Sequence, residues 1–131
     1  MDFAFEFAEA ENLLRLTLTG EMTDAGVMEL WSKGVPIAAA HSSCRLIVDT
    51  TGVSRFEVSP KAVTMLAKKH SADLPMRVIV APSDVLYGTC RMFQTLTEST
   101  RQNVHIVRTM KDAYKVLGVE SPKFVSITSA G

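Results

Sequence analysis

Leu46-Ile47-Val48 sets three apolar side chains on consecutive positions, and a strand so built buries both faces, as strands do in a parallel sheet covered by helices. The apolar run stops at Asp49-Thr50-Thr51-Gly52, and after a loop Ser59-Pro60 opens a helix. Serine there accepts from the free N–H groups of the first turn, and proline at the first helical position has no N–H to leave unpaired. Strand, loop and helix together predict one crossover unit of a parallel sheet. Upstream the period is two. Phe3, Phe5 and Phe7 alternate with Ala4, Glu6 and Ala8; after a turn at Glu9 to Asn12, Leu14, Leu16 and Leu18 alternate with Arg15, Thr17 and Thr19 until Gly20 ends the run. This pair predicts an antiparallel hairpin at the edge of the sheet.

From Thr23 the spacing becomes helical, with Val27, Met28, Trp31, Val35, Ala38 and Ala39 on one stripe and Glu29, Ser32 and Lys33 opposite. Pro36 removes a backbone hydrogen bond on the wet side of that helix and predicts a kink or a break. The helix opened by Pro60 runs to about Ser71 on the stripe Ala62, Val63, Leu66 and Ala67, and Lys68, Lys69 and His70 crowd its last turn, where the helix dipole favours positive charge. Arg77 to Ala81 reads as a buried strand ended by Pro82. Ser83 caps a helix from Asp84 to about Arg101 whose inward positions are Val85, Thr89, Met92, Phe93 and Leu96. Val104 to Val107 is the last core strand. Thr109, with Asp112 three residues on, begins a short helix through Ala113, Val116 and Leu117 that Gly118 terminates. In the tail, Glu120 to Gly131, Phe124, Val125 and Ile127 are too apolar for a free segment and predict docking or a further strand.

The alternation predicts an α/β fold: a mixed, mainly parallel five-stranded sheet with an N-terminal antiparallel strand and about four helices. Residues 1–118 make one domain and 119–131 a tail. At 131 residues the chain is long enough to bury a core without staples. Lysine plus arginine and aspartate plus glutamate both count 14, so no net field draws it to nucleic acid or an anionic membrane. No apolar run reaches the roughly 20 residues of a membrane span. Cys44 and Cys90 lie far apart without metal or redox spacing, and no signal peptide opens the chain. They read as free thiols in a reducing compartment, the cytoplasm.

Ligands of such sheets bind at the carboxyl ends of the strands. Here that rim comprises Asp49, Thr50, Thr51, the Glu57 to Ser59 segment, Ser83, Asp84, Arg108 and Thr109. Asp49 at a strand end is expected to accept from the turn near Thr51. Tyr87, Arg91 and Glu98 share the polar face of their helix, either as a solvated i, i+4 pair or as a contact surface of interface-enriched types. Gly88 beside them admits close backbone approach. His41, His70 and His105 have no ligand spacing, Cys90 reads as a packed thiol, and the seven methionines read as core filler. No nucleophile, base and orienting group assemble, so neither catalysis, metal nor cofactor is implied.

Two stretches resemble a known group. Leu46-Ile47-Val48-Asp49-Thr50-Thr51-Gly52-Val53, followed by Phe56-Glu57-Val58-Ser59, is similar to the strand and "isoleucine-aspartate-serine-serine-glycine" run of STAS domains, named for sulfate transporters and anti-sigma-factor antagonists. Ala81-Pro82-Ser83-Asp84 through Tyr87-Gly88-Thr89-Cys90-Arg91-Met92-Phe93 is similar to the "tyrosine-glycine, two residues, arginine-methionine-phenylalanine" motif of their stand-alone sporulation antagonist-like relatives. The resemblance covers about residues 3 to 118. It implies a non-catalytic regulatory module that binds a protein partner through the rim around Ser59 and the adjoining helix. Ser59 falls at the family's phosphoacceptor position, with Glu57 in place of aspartate and Pro60 in place of glycine. The relatives' fold also resembles the CRAL-TRIO lipid-carrying domains, which raises a carrier of an apolar or anionic small molecule as the second expectation. A second copy of the chain is a further candidate partner. As a cap, Ser59 predicts that Ser59→Ala costs about 1 kcal/mol and Ser59→Asp little or nothing.

Overall fold

The computed structural model describes residues 2–41, 43–68, 76–97 and 103–127. Among the described residues ten elements follow one another: β1 (Asp2–Ala8), β2 (Leu13–Thr23), α1 (Asp24–Ala40), β3 (Arg45–Glu57), α2 (Pro60–Lys68), β4 (Arg77–Val80), α3 (Asp84–Thr97), β5 (Val104–Val107), α4 (Met110–Leu117) and β6 (Val125–Ser126). They form one sheet in the order β5-β4-β3-β2-β1-β6. β2 through β5 pair in parallel, and β1 lies antiparallel to β2. The sheet has six strands where the pattern predicts five, because Val125-Ser126 adds antiparallel to the outer edge of β1.

The sheet separates two apolar layers by side-chain parity. On one face Ile47, Val78 and Val80 pack under Ala113 and Leu117 of α4. At roughly 1.5–3 kcal/mol per fully buried aliphatic side chain, this packing, rather than helix propensity, holds an α4 of 8 residues. Thr109 caps α4 by accepting from the Asp112 N–H, and Gly118 closes it in the left-handed conformation at φ 70. On the other face Phe5, Leu14, Leu16, Leu18 and Leu46 pack against Leu30 and Ile37 of α1, and α3 packs against α2 and β5.

Several local expectations change. β2 does not end at Gly20, nor β3 at Asp49: the two stay paired to Thr23↔Glu57, with register shifts that absorb two extra residues of β3. Gly20 takes φ 85 within the strand, and a Cβ at Gly52 would lie 2.7 Å from Thr19 Cγ2, so only glycine lets the strands approach there. β4 stops opposite Asp49, which leaves the end of β3 paired on its β2 side. α1 runs unbroken through Pro36, whose exposed position leaves the freed carbonyl to water. Its sheet-facing stripe is rotated toward Leu30, Gly34 and Ile37, and Ala39 is exposed. α3 is rotated too: Ser83 caps it at the Leu86 N–H and sets Leu86 and Phe93 inward, leaving Val85 63% and Leu96 39% exposed. The expected ends of α2 at Ser71 and α3 at Arg101, with Lys69, His70 and Glu98, lie outside the described residues.

Candidate functional site

Each parallel strand delivers its chain to the same rim: β2 to Thr23 and Asp24, β3 to Ser59, β4 to Ser83 and Asp84, β5 to Arg108 and Thr109. At three of these junctions a hydroxyl caps a helix. Thr23 Oγ1 accepts from the Gly26 N–H, Ser83 Oγ from Leu86, and Thr109 Oγ1 from Asp112.

The fourth cap is different. Ser59 Oγ accepts from the Ala62 N–H at 3.2 Å and donates to Asp24 Oδ2 at 2.7 Å, while the Ser59 N–H donates to Asp24 Oδ1, also at 2.7 Å. One carboxylate in the first turn of α1 thus ties down the residue that opens α2. The Ser59 N–H first, and its hydroxyl second, hold the Asp24 carboxyl below the usual carboxylate value. Sequence reasoning missed Asp24: the pair is 35 residues apart, and an acid in a first helical turn is explained by the dipole alone. The pair also corrects the expectation for Ser59→Asp, which would set a second carboxylate against the first.

A second cluster lies at the β4 and β5 ends. Arg108 donates to Asp84 at 2.9 Å and lies over the Tyr87 ring, 4.1 Å from its centroid. Tyr87 therefore pairs with Arg108 rather than with Arg91, which donates to Gln94 Oε1 at 2.7 Å. Gly88 has open space where a Cβ would stand. Asp49 and Thr51 form their own turn, with the Thr51 N–H and Oγ1 donating to Asp49 Oδ1 at 2.9 and 2.6 Å. Glu57 pairs with Arg55 at 2.7 Å on the exposed end of β3. The structure thus groups Ser59 with Asp24 and Asp84 with Tyr87, and leaves Asp49, Thr51, Glu57 and Arg91 with local partners.

His41 Nδ1 is 3.0 Å from the Ile37 carbonyl and His105 Nε2 2.8 Å from Asn103 Oδ1, while His70 lies outside the described residues. Among the described residues no group of three histidine, cysteine or acidic side chains is placed to hold a metal, and no helix is long and apolar enough to cross a membrane. Both cysteines are free. Cys44 Sγ donates to Asn12 Oδ1, and burial pushes the Cys90 thiol up to about 11.

Behind the rim, α1, α2 and α3 stand off the sheet around an apolar cavity of about 260 Å³. Cys90, Trp31, Phe93 and Arg77 are on its wall.

No protein-family model matches the chain, and no curated protein sequence does. Among solved structures it is similar to an uncharacterized protein of the DUF3478 family from Shewanella loihica PV-4, described as having a SpoIIAA-like fold. The two superpose with a TM-score of 0.60 at 15% identity over 88% of this chain and 92% of that one. Four parallel strands alternating with helices, an antiparallel first strand and this likeness give the chain a SpoIIAA-like, STAS-type fold.

Proposed function

We propose that the chain is a non-catalytic regulatory module of STAS type that binds a protein partner through the rim around Ser59. The observation that carries this reading is the Asp24–Ser59 pair. A phosphoryl group on Ser59 adds roughly −1.5 to −2 charges, and the free N–H groups opening α2 favour an anion there. The Asp24 carboxylate, 2.7 Å from the same oxygen, opposes it and must leave. A modification on α2 is thereby felt by the first turn of α1. The neighbouring surface suits a partner: Val85 is exposed beside the stacked Tyr87 and Arg108, residue types that interfaces enrich. Asp49, Thr51, Glu57, Ser83 and Asp84 lie along the same rim, and Arg91 lies one helical turn beyond Tyr87.

The test is quantitative affinity capture from the cytoplasm of the source cells, with wild type, Ser59→Ala and Ser59→Asp as baits matched for folded content by circular dichroism. A protein held by wild type and Ser59→Ala but released by Ser59→Asp is the expected result. Equal retention by all three removes the switch.

A further inference from the structure

The outer side of α3 is not the evenly polar face of an ordinary surface helix. Val85 is 63% and Leu96 39% exposed, while Leu86 points inward. Between them Gly88 stands exposed, with nothing within 4 Å of where a Cβ would be. The fold does not require that side chain to be missing, and glycine inside a helix is less favourable than alanine. A missing Cβ does give room for another backbone to come close.

At about 100° per residue, Gly88 lies at the middle of the exposed arc of α3. Asp84, Arg91 and Thr95 flank it on one side, and Val85, Met92 and Leu96 on the other. One edge is polar and the other apolar, so a covering helix must bring matching edges to the same sides. A second α3 does this. A two-fold axis between the two Gly88 residues, perpendicular to both helices, sets them antiparallel with polar edge beside polar edge. A parallel arrangement would oppose polar to apolar. Asp84 lies four residues before Gly88 and Arg91 three after, about 6 and 4.5 Å along the helix. The rotation therefore brings Asp84 of each copy level with Arg91 of the other, and Val85 level with Met92.

Both charges are placed for this. The Asp84 side chain is 95% exposed and gives Oδ1 to Arg108, so Oδ2 has no partner among the described residues. Arg91 donates through Nη1 to the neutral Gln94 amide, and among the described residues no acid pairs with it.

We propose that α3 is a self-association surface through which two copies of this chain pair antiparallel about Gly88, Asp84 of each against Arg91 of the other. The contact requires neither Ser59 nor its modification. It covers Val85, so a second copy and a partner on the rim compete for this end of α3. One helix face is smaller than a standard protein interface, so the dimer forms at micromolar rather than nanomolar concentration and weakens as salt screens the paired charges.

The test is sedimentation equilibrium of the full chain from low micromolar to millimolar concentration. Wild type should pass from monomer to dimer. A wild type that stays monomeric at millimolar concentration overturns the proposal and leaves the face to a helix of another protein. Gly88→Leu fills the gap at an exposed position and should raise the dimer Kd about tenfold or more. Asp84→Arg and Arg91→Asp should each raise it similarly, because like charges then face one another. Their equimolar mixture should associate within about threefold of wild type, because both unlike pairs are restored between the two variants. Undiminished association of Gly88→Leu, or a mixture no tighter than its components, refutes the antiparallel contact. Circular dichroism checks the fold of each variant, and if the charge reversals misfold, wild type and Gly88→Leu decide the matter.

Discussion

Ser59 makes two bonds through its side chain and one to Asp24 through its backbone N–H, and substitutions separate them. Ser59→Ala loses the acceptor for the Ala62 N–H and the donor to Asp24 Oδ2, but keeps the backbone N–H on Asp24 Oδ1. Loss of the cap alone costs about 1 kcal/mol, which in a chain of this length lowers the melting temperature by about 4 °C. Ser59→Asp would restore an acceptor for α2 and a charge that suits its dipole. However, the new carboxylate would stand where the hydroxyl now sits 2.7 Å from Asp24 Oδ2, so two anions would replace a donor and an acceptor. Ser59→Asp should therefore melt below Ser59→Ala, and its deficit should shrink in high salt as the repulsion is screened. Adding Asp24→Asn to Ser59→Asp should recover most of the loss, because the amide can donate to the new carboxylate. Thermal and urea unfolding of wild type, Ser59→Asp, Asp24→Asn and the protein carrying both substitutions forms a double-mutant cycle. A Ser59→Asp protein as stable as wild type, or a cycle with no coupling, would refute the link between α1 and α2.

The Asp24 carboxyl is held below its unfolded value of 3.8, so its contribution is complete above that pH and is lost as pH falls through the lower folded value. Asp24→Asn should weaken the fall in stability below about pH 4, and an acid-unfolding profile superimposable on wild type would contradict this. Deleting residues 120–131 removes Phe124, over which Arg15 lies at 4.0 Å, and the Ile127 N–H on the Phe5 carbonyl; the midpoint of urea unfolding should fall, and an unchanged midpoint counts against a docked tail. Gly52→Ala brings a Cβ to 2.7 Å from Thr19 Cγ2 and 3.3 Å from the Leu18 carbonyl, at a cost of roughly 1–3 kcal/mol. Thr19→Ala should relieve part of that cost, and additive losses would show that the clash is not the cause. With its thiol at about 11, Cys90 should alkylate with iodoacetamide at pH 8 on the order of a hundredfold more slowly than in urea-unfolded chain; equal rates, read by peptide mass spectrometry, would refute its burial.

Features that neighbours within a turn or two decide are legible in the residues alone. Three apolar residues in a row at Leu46 make a doubly buried strand, Ser59, Ser83 and Thr109 stand where helix N–H groups need an acceptor, and Gly118 ends α4 because it enters the left-handed region without a Cβ. Each follows from side-chain period or from hydrogen bonds that reach three or four residues along the chain. Alternation of such units then implied a parallel sheet through the handedness of crossovers. The tertiary structure decided whatever depends on residues far apart. β3 extends to Glu57 because β2 continues beside it, and the polar stretch Thr51 to Glu57 carries no apolar pattern that would announce a strand. Asp24 finds Ser59, and Arg108 rather than Arg91 covers Tyr87, because strand order brings helix starts together at one rim. The cavity is least legible of all: its lining reads in sequence as ordinary core, and whether apolar faces close on each other or stand apart is set by how helices of fixed bulk seat on a twisted sheet.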